Sequence, residues 1–112
     1  MDNSGETKAL FIVVNAGFAD DVMDVARETG VASATIFSAR GKGHHNEMFM
    51  GITTDAEKEI VLSITDEETS EKAMALIKEK AGVKTPAGGI CFTMPVDQAV
   101  GISVHAPSSE KQ

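Results

Sequence analysis

Several short clusters in the chain carry groups with chemical potential. Gly88-Gly89 stand before an apolar stretch. Consecutive glycines let backbone N–H groups converge on an anion, and they equally well form an ordinary tight turn. A phosphate loop of the Walker type would run into a helix through Gly-Lys-Ser/Thr, and this one does not. Arg40-Gly41-Lys42-Gly43 sets two cations beside two glycines. That pattern can hold phosphate oxygens or open a solvated loop. His44-His45-Asn46-Glu47 offers metal-capable groups. Neighbouring histidines point apart in extended chain, however, and the spacing matches no standard zinc motif; His105 adds nothing to it. Cys91 lies among apolar residues and reads as a small hydrophobe, because no base or positive neighbour activates it. Met48-Phe49-Met50 place apolar side chains in an irregular stretch, as a docking tip or as a small satellite cluster. No paired carboxylates, triad or metal cluster stands out, and these residues specify no enzyme.

The elements that must position these groups follow from local pattern. Ala9–Val14 is a short, continuous, β-branched run and predicts a buried strand. Asn15-Ala16-Gly17 breaks it. Asp20 and Asp21 favour the positive end of a helix that runs to Gly30. A second strand is expected over Ala32–Ala39. Residues 40–58 hold three glycines and no clean period, and a long irregular stretch in a small domain is functional or mobile. Glu59–Thr65 predicts a third strand. Asp66 is a good N-cap for a second helix through Ala81, with Glu67 and Glu68 in its first turn, Lys78 and Lys80 in its last, and Gly82 beyond. A turn at Thr85–Gly89 leads to a fourth strand, Ile90–Met94. A helical turn over Val96–Gly101 and a last short strand at Ile102–His105 complete the reading.

Length and composition bound what this scaffold does. At 112 residues, 42% of them hydrophobic, the chain fits one domain able to bury its own core. Ten Lys and Arg against seventeen Asp and Glu give a net charge of −7. That balance argues against nucleic acid as a partner. The absence of Trp and Tyr removes a base-stacking platform. A single Cys excludes an internal disulfide framework. Residues 1–8 are polar and no apolar run approaches the ~20 residues of a spanning helix, so a cytoplasmic location without membrane insertion is expected.

The order strand, helix, strand, strand, helix, strand closes most simply as a ferredoxin-like α+β fold, an antiparallel four-stranded sheet with both helices on one face. The domain is expected over 8–105, with a long loop at 41–58 and flexible tails at 1–7 and 106–112. With helices on one face only, the strands should alternate. They do not: Phe11 and Val13 lie between Leu10, Ile12 and Val14, and Val61 lies between Ile60 and Leu62. Other copies of the chain are therefore expected to cover the second face.

An ordered set of segments is similar to the PII signal-transduction family, the nitrogen regulatory proteins P-II. The segments are Ala39-Arg40-Gly41-Lys42-Gly43, Met50-Gly51-Ile52, Glu57–Leu62, Ala87–Phe92 and Pro95-Val96. The resemblance runs from Ala9 to about Val104. It implies a trimer that binds ATP, ADP or AMP as an effector between subunits, with no tightly held cofactor. It also implies that the long loop regulates a target enzyme or membrane transporter. By position, Thr35 matches the adenine-side threonine, and Ser63 and Ile64 fall where main chain meets adenine. Gly41 and Gly43 match the loop base and Gly88 a phosphate-loop glycine, and Arg40 and Gly89 beside them join the nucleotide-binding candidates. His44, His45, Met48 and Phe49 would meet the partner. Three departures accompany it. Gly89, Gly101 and Ser103 stand where the family has a Lys and two Arg on the phosphates. The long loop is short, with no Tyr. The Gln that meets 2-oxoglutarate is missing, and His44 or His45 lies near its place. The rival expectation is a divalent-cation-binding trimer of related architecture, with His44, His45, Glu47 and Cys91 as ligands.

Overall fold

The apolar run at the start of the chain becomes strand β1, Thr7–Asn15, in a computed structural model that describes residues 6–42, 47–49, 52–54 and 56–102. Helix α1 follows at Ala19–Arg27 and strand β2 at Thr35–Gly41. Two short strands, β3 (Glu47–Phe49) and β4 (Ile52–Thr54), pair with each other as a hairpin. Strand β5 is Ala56–Asp66, helix α2 Glu67–Ala81, and strand β6 Ile90–Pro95. The main sheet has the order β2-β5-β1-β6 with every pair antiparallel. This is the expected ferredoxin-like arrangement.

Helix α2 forms where its local signals place it. Asp66 has extended backbone, and its Oδ1 accepts the Thr69 N–H at 2.8 Å. That satisfies one of the amides a helix start leaves without a partner. Helix α1 has no such cap of its own: Phe18 precedes it and offers no side-chain acceptor. Glu59 of β5 supplies one from across the fold, its Oε1 accepting the N–H groups of Gly17 at 3.0 Å and Ala19 at 3.1 Å.

Both helices pack on one sheet face. Leu10, Ile12, Val14 and Val61 from the sheet meet Val22, Met23 and Ala26 of α1 and Ala73, Ile77 and Ala81 of α2. The other face is bare and apolar. Register places Phe37, Ile60, Val13 and Ile90 in one row, and Thr35, Leu62, Phe11 and Phe92 in the next. The Phe11 and Phe92 rings stack at 5.0 Å with an interplanar angle of 8°. Phe92 and Ile90 remain 45% and 52% exposed. The two-sided strands thus cover a core on one side and leave an open apolar face on the other.

Several boundaries differ from the sequence-based expectation. Strand β2 begins at Thr35, not Ala32, and runs on to Gly41 because β5 pairs with it as far as Ala56. Strand β5 is longer at both ends. Within 40–58 the β3–β4 hairpin appears, although its residues show no alternation. The helical turn expected over Val96–Gly101 is absent, and bends occupy that stretch. Val100 is 97% exposed there, so the segment has no apolar face to bury, and helical pattern alone does not hold a short helix. Of the strand expected at Ile102–His105, only Ile102 is described, and it is not in a strand.

Candidate functional site

The end of β2 nearest α1 and the middle of β5 enclose an open groove of about 430 Å3. Thr35, Ser63 and Ile64 line it together with Ala32–Ala34, Leu62, Gly101 and Ile102. Three residues matched by resemblance to adenine contacts are therefore brought to one place, although 28 positions separate the first two in the chain. Thr35 is exposed at the edge of the sheet. Ser63 is buried, and its hydroxyl donates to the Ser33 carbonyl at 2.7 Å. That bond holds the 32–34 segment beside β5 and shapes the groove wall. Both Gly101 and Ile102 come from the stretch after β6, so the groove also collects Gly101, one of the two positions at which the resemblance implies an arginine.

The second constellation lies at the opposite end of the sheet. Gly41 closes β2, and Lys58 of β5 lies over it: a Cβ on Gly41 would stand 3.1 Å from Lys58 Cε. The Lys58 ammonium donates to Asn15 Oδ1 at 2.8 Å. Asn15 Nδ2 in turn donates to the Pro86 carbonyl at 2.9 Å. Gly88 has φ +59, and a Cβ there would come within 2.9 Å of Asn15 Nδ2. Glycine suits this position on both counts. The loop base and the Gly-Gly turn are thus neighbours through Asn15.

The glycine amides of that turn do not converge on an open space. The Gly88 N–H donates to the Thr85 carbonyl at 2.9 Å, and the Gly89 N–H to the Ala81 carbonyl at 2.7 Å. A Cβ on Gly89 would lie 2.4 Å from that same oxygen. The tight-turn reading of Gly88-Gly89 accounts for both residues here. Arg40 is exposed and stands opposite Glu57 in the β2–β5 register. Gly43, His44 and His45 lie outside the described residues; Met48 and Phe49 are on β3, and the 41–58 loop is described only in part. Cys91 packs against the core from β6, and burial pushes its thiol up from the ordinary thiol range. Among the described residues no group of three or more His, Cys, Asp or Glu could hold a metal ion, and no helix is long and apolar enough to cross a membrane.

Asn15 and Lys58 carry no site signal in the sequence. Asn15 reads as a strand breaker, and only the fold sets it beside a lysine 43 positions away. Glu59 reads as the start of a strand, with no sign of its reach to α1.

Comparison with known proteins bears on this arrangement. The family model described as nitrogen regulatory protein P-II matches residues 7–106. The chain belongs to the P-II family. No curated protein matches the sequence. Among solved structures, a putative PII-like signaling protein of Thermus thermophilus is 17% identical, covering 82% of this chain and 88% of its own, at a TM-score of 0.63. A GlnK–ATP complex of B. subtilis is also 17% identical, covering 83% and 84%, at 0.65. CPII, a nitrogen regulatory PII-like protein of Thiomonas intermedia K12 bound to ADP, AMP and bicarbonate, is 18% identical, covering 86% and 96%, at 0.64. At these identities the structures share the fold. P-II proteins are signalling regulators and not enzymes.

Proposed function

We propose that this P-II protein is a cytoplasmic homotrimeric regulator that takes an adenine nucleotide between subunits and controls a partner enzyme or transporter through its 41–58 loop. The observation that carries the reading is the groove that Thr35, Ser63 and Ile64 line together, the residues that the resemblance matches to adenine contacts. The ATP complex of GlnK and the ADP and AMP complex of CPII, both of this fold, support it. The bare face around Phe11, Phe37, Ile90 and Phe92 supports assembly. Burying one such side chain contributes about 1.5–3 kcal/mol.

The base and ribose carry most of the recognition. Gly89, Gly101 and Ser103 supply no cation to the phosphates, and the Gly88 and Gly89 amides are engaged within the turn. Each added phosphate then gains little, so AMP, ADP and ATP should bind within about tenfold of one another, or ~1.4 kcal/mol. Calorimetric titration with the three nucleotides tests this. With the ligand between subunits, the turn of one copy faces the groove of its neighbour, so Gly88→Val, which drives a branched side chain against Asn15 and displaces that turn, should weaken all three. Light scattering should give about three times the 11.8 kDa chain mass. A monomer at micromolar concentration, or no adenine nucleotide bound at millimolar concentration, overturns the reading.

A further inference from the structure

Asn15, the last residue of β1, is the meeting point of four hydrogen bonds. Its N–H donates to the Ala87 carbonyl at 2.8 Å, and its carbonyl accepts the Phe18 N–H at 3.2 Å. Its side chain faces two ways at once. Oδ1 accepts from Lys58 Nζ at 2.8 Å, and Nδ2 donates to the Pro86 carbonyl at 2.9 Å. Lys58 covers Gly41 at the foot of the 42–55 segment, and Pro86 belongs to the turn that leads into β6. Contacts therefore run from Gly41 through Lys58 and Asn15 to Pro86 and Gly88.

The amide of asparagine is planar and rigid, which makes its two bonds interdependent. Any rotation that lets Oδ1 follow a departing ammonium swings Nδ2 away from Pro86. The two bonds also polarise each other: an oxygen that accepts from a cation leaves the amide N–H a stronger donor. We propose that Asn15 is a positioning residue that couples the foot of the 42–55 segment to the 85–89 turn, so that moving the Lys58 ammonium off Asn15 loosens the turn. The functional meaning of this coupling rests on the regulator reading above: a ligand or partner that draws Lys58 away changes the turn without touching it.

Amide hydrogen exchange on the nucleotide-free protein tests the coupling, with the α2 amides as an internal reference for global stability. A net hydrogen bond near 1 kcal/mol corresponds to about a fivefold change in exchange rate. Lys58→Met, which frees the Asn15 amide to turn away from Pro86, should therefore speed exchange of the Gly88 and Gly89 amides by up to about fivefold while the α2 amides hold. In an Asn15→Ala background the same Lys58→Met change should add almost nothing. Asn15→Asp keeps an acceptor for Lys58 but sets a carboxylate oxygen against the Pro86 carbonyl. It should speed the turn and leave exchange at Gly41 at its wild-type rate, and it replaces Asn15→Ala if that variant does not fold. Unchanged turn amides in Lys58→Met, or equal acceleration with and without Asn15, overturn the proposal. Because no nucleotide is present, a failure of nucleotide binding removes the regulator reading and leaves the exchange result decisive.

Discussion

Removing the Glu59 carboxylate should destabilise the protein through a helix to which Glu59 does not belong. Its Oε1 accepts the Gly17 and Ala19 N–H groups at 3.0 and 3.1 Å, and Phe18 at the N-cap position of α1 gives no side-chain cap. A hydrogen bond to a charged group contributes about 1.5–3 kcal/mol net. The lower figure applies to the part-buried Ala19 bond, and the exposed Gly17 bond adds about 0.5 kcal/mol. Glu59→Ala should then cost about 2 kcal/mol, the upper end of what losing a helix cap costs. For a domain of this size that lowers Tm by roughly 8 °C. Glu59→Gln keeps a neutral acceptor oxygen and should lose about half as much. Urea unfolding at fixed protein concentration measures both, since assembly makes stability concentration-dependent. A cost below about 0.5 kcal/mol for Glu59→Ala, or equal losses for the two variants, would refute the capping argument.

Three further outcomes are expected. Gly89→Ala should destabilise by more than Gly88→Ala: the first forces a Cβ to within 2.4 Å of the Ala81 carbonyl oxygen, whereas the second meets mainly a left-handed backbone worth about 1–2 kcal/mol; thermal melts compare them. Asp66→Ala should cost about 1 kcal/mol by loss of the Thr69 N–H acceptor, read by the same unfolding curves. The Cys91 thiol, pushed up by burial, should alkylate more slowly at pH 8 than a free thiol and react quickly only when the protein unfolds. Because the folded state holds its proton to higher pH than the unfolded state, stability should fall as pH rises through the unfolded thiol's range.

The elements that read clearly from sequence are those with local causes. Helix α2 is bracketed by Asp66, two glutamates, two lysines and Gly82, and it begins and ends where these residues place it. The β1 and β6 runs are equally plain. What stays hidden depends on pairing partners distant in the chain. Strand β2 is set by its register with β5, which carries it two residues past the expected end. The β3–β4 hairpin has three-residue strands, too short to show alternation. At the site, Thr35, Ser63 and Ile64 come from family resemblance, and the fold adds only that they share a groove. Asn15 and Lys58 carry no local signature at all, since an asparagine after a strand and a lysine before one are ordinary residues until the sheet aligns them. The Gly-Gly turn shows the reverse: its residue types invite an anion, while its amides close the turn onto Thr85 and the end of α2.

The strand order has a consequence for the growing polypeptide. β1 emerges before both of its neighbours, β5 and β6, which lie downstream. The acceptor for the start of α1 is Glu59, 40 residues beyond Ala19. A nascent chain that ends before residue 56 therefore carries an apolar strand with two bare edges and a short helix without its cap. Such edges recruit other strands, and long-range closure is slow relative to local structure. The arrival of β5 closes one of those edges and brings the cap to α1, and β6 closes the other.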